Sequence, residues 1–408
     1  MKNWTALILV LAAAFGLAIF GTTPPAPVPA TANPAEFSAG RAMVDVQIIA
    51  KAPHSTGTAE NAAVRGHIAA RLDALGLEVE TTQGPVDQGS VDRLNSWSGL
   101  GQPSLTWVNI IGTLPGKDRS LPAVLLMAHH DTVWGSPGAA DDTAGVASIL
   151  EVVRAIRHRG QPARDIMVLI TDAEELGLVG ARAFFANDPL PKRVGAVINL
   201  EARGGGGRTT LFQTSANNGN AVARYRANVN RPAGSSLAAF IYSVLPNDTD
   251  LTPALQGDYA AYNFAFIGRS GLYHSPLATP ERLDQGALQD MGAQVLALTG
   301  ALAVAKPLPA AAPDTVFFDV FGLFMITYPV WVGWLLLALG AGGVVLGFRG
   351  NSNGPAILGG AGRMFALVRA PIITTVWQPF RCSKQLPGSD VWQFSFSVSG
   401  IGSTLSPG

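Results

Sequence analysis

The sequence predicts an α/β fold, a mixed β-sheet flanked by helices, with an apolar segment on either side of it. Between about Phe37 and Lys306, short apolar strand patterns alternate with helical ones. Residues 4–20 and residues 320–348 are apolar and uncharged. Of the 408 residues only 14% are charged, against about 25% in ordinary soluble domains. This deficit indicates that part of the chain lies in lipid.

The N-terminal apolar run, residues 1–22, is typical of a signal anchor or a signal peptide. Lys2 precedes the run, and a tidy small-x-small cleavage site occurs only far downstream, at Ala30-Thr31-Ala32. We therefore favour an uncleaved anchor. The Pro/Ala-rich residues 23–36 that follow are predicted to be a stiff spacer.

Alternating patterns define the central region, residues 37–306. Asn61–Leu75 places its apolar residues on one helical face, and Gly76 follows as a stop signal. The predicted strands and the closing helix are Ala123–Met127, Ile166–Thr171, Ala196–Leu200, Phe240–Val244, Tyr262–Ile267 and Asp284–Ala305. The order predicts one α/β domain, followed by a linker at residues 307–319.

The second apolar run, residues 320–348, exceeds the about 20 residues that a membrane helix needs, so we predict a transmembrane helix there. Acidic residues precede the run, arginines follow it, and Lys2 stands at the other end of the chain. The positive-inside rule then puts both termini in the cytoplasm and residues 21–319 on the extracytoplasmic side of a cell or inner membrane.

Charge and cysteine content exclude two classes of function. Lys+Arg and Asp+Glu each number 28, so no basic excess points to nucleic acid. The lone cysteine, Cys382, excludes an internal disulfide and a zinc site built from cysteines.

Histidine and acidic side chains follow the predicted strands. In an open α/β sheet, the carboxyl ends of the strands line one crevice, where ligands usually bind. Histidine and carboxylate ligands without thiolate suit catalytic zinc, and two histidines with three carboxylates suit a metal pair that shares one carboxylate. Of two adjacent glutamates, one can bind metal while the other takes a proton from water. The candidates are His129, Asp131, Asp141, Glu174, Glu175, Glu201 and His274.

Five separated segments that carry these residues resemble, in order, metallopeptidase family twenty-eight, the co-catalytic zinc aminopeptidases. The resemblance covers roughly Phe37 to Lys306 and implies a zinc-exopeptidase fold, two zinc ions per chain and a peptide substrate. By position, it implies that His129 and Glu201 bind one zinc, that Glu175 and His274 bind the second, and that Asp141 bridges both. It further implies that Glu174 is the general base, that Asp131 orients His129 through its second ring nitrogen, and that Tyr273 helps to hold the oxyanion.

Glu201 departs from many secreted members of the family, which have Asp at this position. The run Asn199–Gly204, with Leu211–Thr214 and Asp248-Thr249-Asp250, is instead similar to the membrane-anchored subgroup, the vacuolar membrane protease and endoplasmic-reticulum metallopeptidase type. Members of that subgroup usually continue into several more membrane helices. We therefore expect the tail at residues 349–408, which has no predicted role, to reflect a truncation or a shifted reading frame.

The sequence thus predicts a membrane-anchored zinc exopeptidase, an aminopeptidase in first place. A glutaminyl-cyclase-like acyltransferase with one zinc, a carboxypeptidase and an inactive binding ectodomain stay open as alternatives. No oligomeric state is predicted. Among neighbouring residues, we expect Asp142 to cap a helix and His130 to face away from the metals. For Arg203 we expect an ion pair in preference to contact with a substrate carbonyl or carboxylate. For both Asp248 and Asp250, a loop-stabilising role and a substrate-facing role are about equally expected.

Overall fold

Helices and strands alternate along the chain in a computed structural model that describes residues 2–349. In order, the elements are α1 (Lys2–Thr22), α2 (Ala39–Ile49), α3 (Ala59–Ala74), β1 (Glu78–Pro85), α4 (Gln88–Ser98), β2 (Thr106–Leu114), β3 (Ala123–His129), α5 (Thr143–Arg159), β4 (Ile166–Thr171), α6 (Val179–Asn187), β5 (Val194–Ala202), β6 (Thr210–Thr214), α7 (Gly219–Asn228), α8 (Ser236–Val244), α9 (Leu251–Ala254), β7 (Ala260–Phe266), α10 (Gln285–Val304), β8 (Thr315–Val320), β9 (Phe324–Pro329) and α11 (Val330–Arg349). Nearly all of them lie in one unit, residues 1–95 and 100–337, and α11 continues into a second unit from Ala338.

Seven strands form one mixed sheet in the order β1-β2-β4-β3-β5-β7-β6. The four central strands, β4, β3, β5 and β7, are parallel, and antiparallel strands close the sheet at both edges. All of β3 and β4 is buried. The carboxyl ends of the four central strands therefore share one edge of the sheet, as the sequence predicts.

Both faces of the sheet are covered. Alternate side chains of β3 enter different cores: Val124 and Leu126 pack into the cluster that includes α2, α3, α5 and α10, while Leu125 and Met127 pack into the cluster that includes α6 and α9. This alternation follows from the period of two along a strand. It explains why β3 reads as a continuous apolar run instead of an alternating one.

Most of the predicted elements are confirmed, but one strand is wrong. Residues 240–244, predicted as a strand, belong to α8. The Ser235 hydroxyl caps this helix by accepting a hydrogen bond from the N–H of Ala238. A short apolar run fits a strand and a helix equally well, and the cap decides for the helix. The sequence patterns also missed β1, β2 and β6.

The predicted transmembrane helix at residues 320–348 is wrong over its first ten positions. Those residues complete a hairpin of β8 and β9, whose turn passes through Gly322 with a φ of 67°. The helix begins at Val330, after Pro329. The hairpin also replaces the end of the predicted linker at residues 307–319. Absence of charge marks the whole run as apolar but does not distinguish a hairpin from a helix.

Two helices of residues 2–349 have the length and apolar character of a membrane span. Trp4–Thr22 has a mean hydropathy of 2.3 and no buried part, whereas Gln285–Val304 is mostly buried and is the core helix α10. Val330–Leu346 of α11 is a shorter apolar stretch. The sidedness of the chain stays a prediction, and the tail from residue 350 lies outside the described residues.

The predicted spacer, residues 23–36, lies against the domain. Its backbone carbonyls accept hydrogen bonds from three arginine side chains, those of Arg41, Arg154 and Arg159. The N–H of Val28 donates to the side chain of Gln289 at 3.1 Å. The segment between α1 and α2 is therefore tied to the domain along much of its length.

Candidate active site

The predicted metal ligands converge at the carboxyl edge of the sheet. His129 ends β3, Glu201 lies near the end of β5, and Glu175 and His274 stand in the loops that follow β4 and β7. Asp141 immediately precedes Asp142, the residue that caps α5. Residues far apart in the chain meet here because the parallel strands all end at this edge.

Asp141 lies between the two histidines. Its Oδ1 is 3.3 Å from Nε2 of His129, and its Oδ2 is 3.2 Å from Nε2 of His274. Each carboxylate oxygen therefore faces a different imidazole. This is the arrangement that a carboxylate bridging two cations requires.

Two groups of potential ligands share Asp141. We call His129, Asp141 and Glu201 the inner cluster, and Asp141, Glu175 and His274 the outer cluster; within each, one ligand atom per residue lies within 4.8 Å of the others. Nε2 of His129 is 4.0 Å from Oε2 of Glu201, and Nε2 of His274 is 3.1 Å from Oε2 of Glu175. The inner cluster is buried, whereas the His274 side chain is 34% exposed. Glu174, with His129 and Glu175, forms a third such group between them.

Asp131 supports both clusters. Nδ1 of His129 lies 2.9 Å from the backbone carbonyl of Asp131 and 3.5 Å from its carboxylate. That carboxylate accepts hydrogen bonds from the backbone N–H groups of Glu174, at 3.0 Å, and Glu175, at 3.3 Å. A proton on Nδ1 of His129 leaves the lone pair of Nε2 directed at Asp141. Asp131 thus fixes the His129 ring mainly through its carbonyl, and its carboxylate holds the loop that carries the two glutamates.

Left-handed backbone conformations shape the outer side of the site. Ala173, just before Glu174, has a φ of 58°, and His274 itself has a φ of 51°. Such conformations cost non-glycine residues on the order of 1–3 kcal/mol and cluster at functional sites. Here they occur where the chain turns from β4 and β7 toward Asp141.

Burial and crowding shift the pKa values of the acids. Burial raises the pKa of Glu201 to about 8, and Asp141 and Asp250 add to the effect. The pKa of Glu174 is raised well above its ordinary value, mainly by burial. Burial alone would raise the pKa of Asp141, but the rings of His129 and His274 hold it below its ordinary value.

The donor set fits zinc. Two imidazole nitrogens and three carboxylates converge without a thiol, as in catalytic zinc sites. Oε1 of Glu175 is buried and has no hydrogen-bond partner in the described part of the chain. Burial would lower the pKa of His274, yet Asp141 and Glu175 raise it to about 10, so protons take the place that cations would fill. Bound cations would both satisfy these atoms and balance the charge.

Three neighbouring predictions have different outcomes. Asp142 caps α5 as expected, accepting from the N–H of Gly145 at 3.2 Å. His130 faces away from the clusters, with its ring between the amide of Asn61 and the carbonyl of Val108. The prediction for Arg203 is wrong, because it forms no ion pair within residues 2–349.

Arg203 instead lies behind the outer cluster. Its guanidinium donates to the carbonyl of Asp248 at 3.2 Å and stands 5.7 Å from the centre of the Tyr273 ring. Tyr273 in turn stacks on His274, with ring centres 3.7 Å apart. The charge of Arg203, which was expected to be paired with an acid, is therefore directed toward the site.

Sequence reasoning missed one supporting residue, Thr56, and left the role of a second, Asp250, undecided. Thr56 donates its hydroxyl to Asp172 at 3.0 Å and to Asp131 at 3.4 Å. Asp250 is buried, accepts a hydrogen bond from the hydroxyl of Thr171, and has a pKa that burial raises to about 6. The Asp248-Thr249-Asp250 run was the signal available in the sequence, but it did not show which of the two acids has which role. Asp248 proves to be an exposed loop acceptor for Thr252.

The chain is similar in sequence to known peptidases. Residues 109–299 match the family model of Peptidase family M28. The chain is 31% identical over 311 residues to endoplasmic reticulum metallopeptidase 1 from Homo sapiens, covering 72% of this chain and 34% of that protein. It is 28% identical over 369 residues to the vacuolar membrane protease of Yarrowia lipolytica, covering 84% of this chain and 36% of that protein. The chain thus spans about a third of the length of these curated relatives.

Solved structures share the fold. An aminopeptidase from Aneurinibacillus sp. strain AM-1 superposes with a TM-score of 0.52 at 16% identity, covering 68% of this chain and 97% of that one. A glutaminyl cyclase from Fimbriiglobus ruber gives 0.51 at 16% identity, covering 68% and 98%. Both activities occur on this fold, so the fold does not choose between them. The match over residues 109–299 identifies a peptidase family M28 domain in this chain, and every residue of the two clusters lies within it.

Proposed function

We propose that this chain is a membrane-anchored, zinc-dependent exopeptidase, and in first place an aminopeptidase that removes residues from peptide N-termini. One observation carries the proposal: Asp141 presents one carboxylate oxygen to His129 and the other to His274. A single catalytic metal in one cluster would leave the histidine on the other side of Asp141 without a ligand role. Two cations sharing Asp141 account for both clusters.

The inner cluster would hold one zinc ion and the outer cluster the other. Bound there, zinc would polarise the scissile carbonyl and lower the pKa of a water molecule. The remaining work falls to the chain. His129 offers Nε2 because its Nδ1 faces the carbonyl of Asp131, and Glu175 is held by its own backbone N–H on the Asp131 carboxylate.

Glu174 is suited to the general base. It lies within the group formed with His129 and Glu175, yet it belongs to neither metal cluster. Burial raises its pKa well above the ordinary value, which makes its carboxylate a stronger proton acceptor. Glu174 would take a proton from the attacking water and deliver it to the leaving amine. Its backbone N–H bond to Asp131 keeps it in position.

Tyr273 is suited to stabilise the oxyanion. Burial raises the pKa of its hydroxyl, so the group stays protonated and able to donate. Stacking on His274 places the ring beside the outer cluster, and Arg203 stands over that ring. Donors fixed where charge develops are a large source of rate acceleration.

The proposal includes the membrane. α1 has the length and apolar character of a span, and the positive-inside rule puts the domain on the extracytoplasmic side. Both curated relatives described above are named for membrane compartments.

Metal analysis combined with a substrate panel tests the function. The full chain, purified in mild detergent, should contain two zinc ions and hydrolyse leucine amide but not N-acetyl-leucine amide. One zinc together with cyclisation of N-terminal glutamine would establish the cyclase alternative. Preference for N-blocked peptides with a free carboxylate would indicate a carboxypeptidase, and a metal-free, inactive protein would indicate a binding ectodomain.

A further inference from the structure

Helix α8 turns an apolar stripe outward. Leu237, Phe240, Ile241 and Val244 follow helical spacing and are between 48% and 67% exposed, and no residue of the helix is buried. The helix contains no charged residue. In a soluble domain the apolar stripe of a helix normally faces the core. An outward stripe of this kind marks a contact surface.

The turn between β8 and β9 adds to the same surface. Phe321, Leu323 and Phe324 are exposed there. The hairpin packs directly on α8: the N–H of Phe317 donates to the Ser236 hydroxyl at 2.9 Å, and Ser235 forms a β-bridge with Phe318. We call the four α8 residues and these three turn residues the apolar apron.

The apolar apron adjoins the end of the N-terminal helix. The backbone of Gly21 lies against Phe321, so closely that a Cβ on Gly21 would come within 3.1 Å of the Phe321 Cα. The guanidinium of Arg231 stands 5.4 Å from the centre of the Phe20 ring, and that of Arg208 donates to the carbonyl of Gly21 at 3.5 Å. The domain therefore contacts α1 at its last turn, beside the apolar apron.

We propose that the apolar apron inserts into the interfacial layer of the same bilayer that α1 spans. Continuity selects lipid as the occupant, since the apron begins where the candidate span ends. In interfacial helices the apolar face enters the boundary between headgroups and acyl chains, while basic groups meet the phosphates. The exposed stripe of α8 supplies such an apolar face. Arg231, next to Phe20, stands at that level.

The docking has a consequence for the site, which rests on the proposed function. The inner face of α8 carries Tyr242, whose ring packs on Phe212 with centres 4.7 Å apart. Four residues after the end of α8, the carbonyl of Asp248 accepts a hydrogen bond from Arg203 at 3.2 Å. A lipid-seated α8 would hold the mouth of the site near the membrane surface. Peptide N-termini close to that surface would then be the favoured substrates.

Site-directed spin labelling tests the docking independently of activity. Cys382 is the lone cysteine of the chain. In the full chain with Cys382→Ser, one newly introduced cysteine is therefore the only site that a spin label can react with. Labels at Phe240→Cys and Leu323→Cys are compared with one at Val44→Cys on α2, a matched control that is apolar and 55% exposed. The protein is placed in vesicles of phosphatidylcholine and phosphatidylglycerol. Collisions with oxygen and with a water-soluble nickel chelate are then measured.

We expect the ratio of oxygen to nickel collisions to be several-fold higher at 240 and 323 than at 44, because oxygen concentrates in lipid. Adding Leu237→Glu and Ile241→Glu should lower the ratio at 240 toward that of the control. Equal ratios at all three positions would overturn the proposal. Exclusion of both reagents at 240 and 323 would also overturn it, since protein would then cover the apron; spin–spin broadening would identify a second copy as that cover.

Discussion

The inner and outer clusters use the same kinds of ligand but are built differently. His129 and Glu201 stand on neighbouring parallel strands and are buried, whereas Glu175 and His274 stand in loops and His274 is partly exposed. Sites on rigid elements are held more precisely than sites on loops. The inner cluster is therefore preformed by the sheet, while the outer cluster depends on loops that Asp131 and left-handed turns hold in place.

The proposed general base, Glu174, offers the largest expected effect. Glu174→Gln removes the proton acceptor without touching a ligand of either cluster, so both zinc ions should remain. Turnover should fall by about 10²–10⁴-fold, the range that a general base contributes. Glu281→Gln, an exposed acid outside the site, is the matched control. Steady-state hydrolysis of leucine amide with parallel metal analysis checks this, and an unchanged kcat would remove Glu174 from the mechanism.

Deleting one ligand from each cluster compares them directly. His274→Ala should release one zinc and leave the other bound to the inner cluster. Glu201→Ala should weaken the inner zinc by more than the about 10–100-fold that loss of a supporting residue costs. Zinc content measured against a graded chelator gives both affinities. If either variant keeps two equally tight zinc ions, that residue is not a ligand.

Asp131→Asn sharpens the contrast because it changes the loop support and leaves the His129 contact. The backbone carbonyl that faces Nδ1 of His129 remains, but one carboxylate acceptor for the N–H groups of Glu174 and Glu175 becomes a donor. We expect the outer zinc to weaken about 10–100-fold and the inner zinc to weaken less. Asp258→Asn, at an exposed position, is the control. Equal weakening at both clusters would contradict the division of labour.

Removing zinc with a chelator should have a smaller effect than these substitutions. It should change how the stability of the folded chain depends on pH, because protons then balance the charge of the two clusters. The pKa of Glu201 in the folded, metal-free chain is about 8 against an ordinary 4.5, and that of His274 is about 10 against 6.5. Both folded-state values are raised, so the folded chain keeps protons that the unfolded chain has lost, and its stability falls as pH rises through this range. Zinc replaces those protons.

The apparent Tm of the zinc-loaded protein minus that of the chelated protein should therefore widen between pH 5 and pH 8. Differential scanning fluorimetry in detergent measures it. Glu201→Gln, which cannot titrate, should reduce the change, and a difference independent of pH would refute the interpretation.

Local patterns were sufficient for the four central, parallel strands but not for β1, β2 and β6. Buried parallel strands such as β3 and β4 are continuous apolar runs, and polar ligands at their ends stand out against them. The failures share a physical cause. The runs at 240–244 and 320–329 are apolar in either conformation, and the caps and strand pairing that decide between helix and strand are contacts with other segments. The predicted ion pair of Arg203 failed because pairing depends on neighbours in space, not in sequence.

Residue chemistry alone predicted a zinc site, since the histidines and acids of the chain follow apolar strands and it has a single cysteine. Only the tertiary structure decided that Asp141 faces His129 with one oxygen and His274 with the other. It likewise decided that Asp131 supports both clusters and that α8 turns its apolar stripe outward. The reason is that a strand pattern specifies what a segment buries, whereas the order of strands in the sheet specifies which loops meet at its edge.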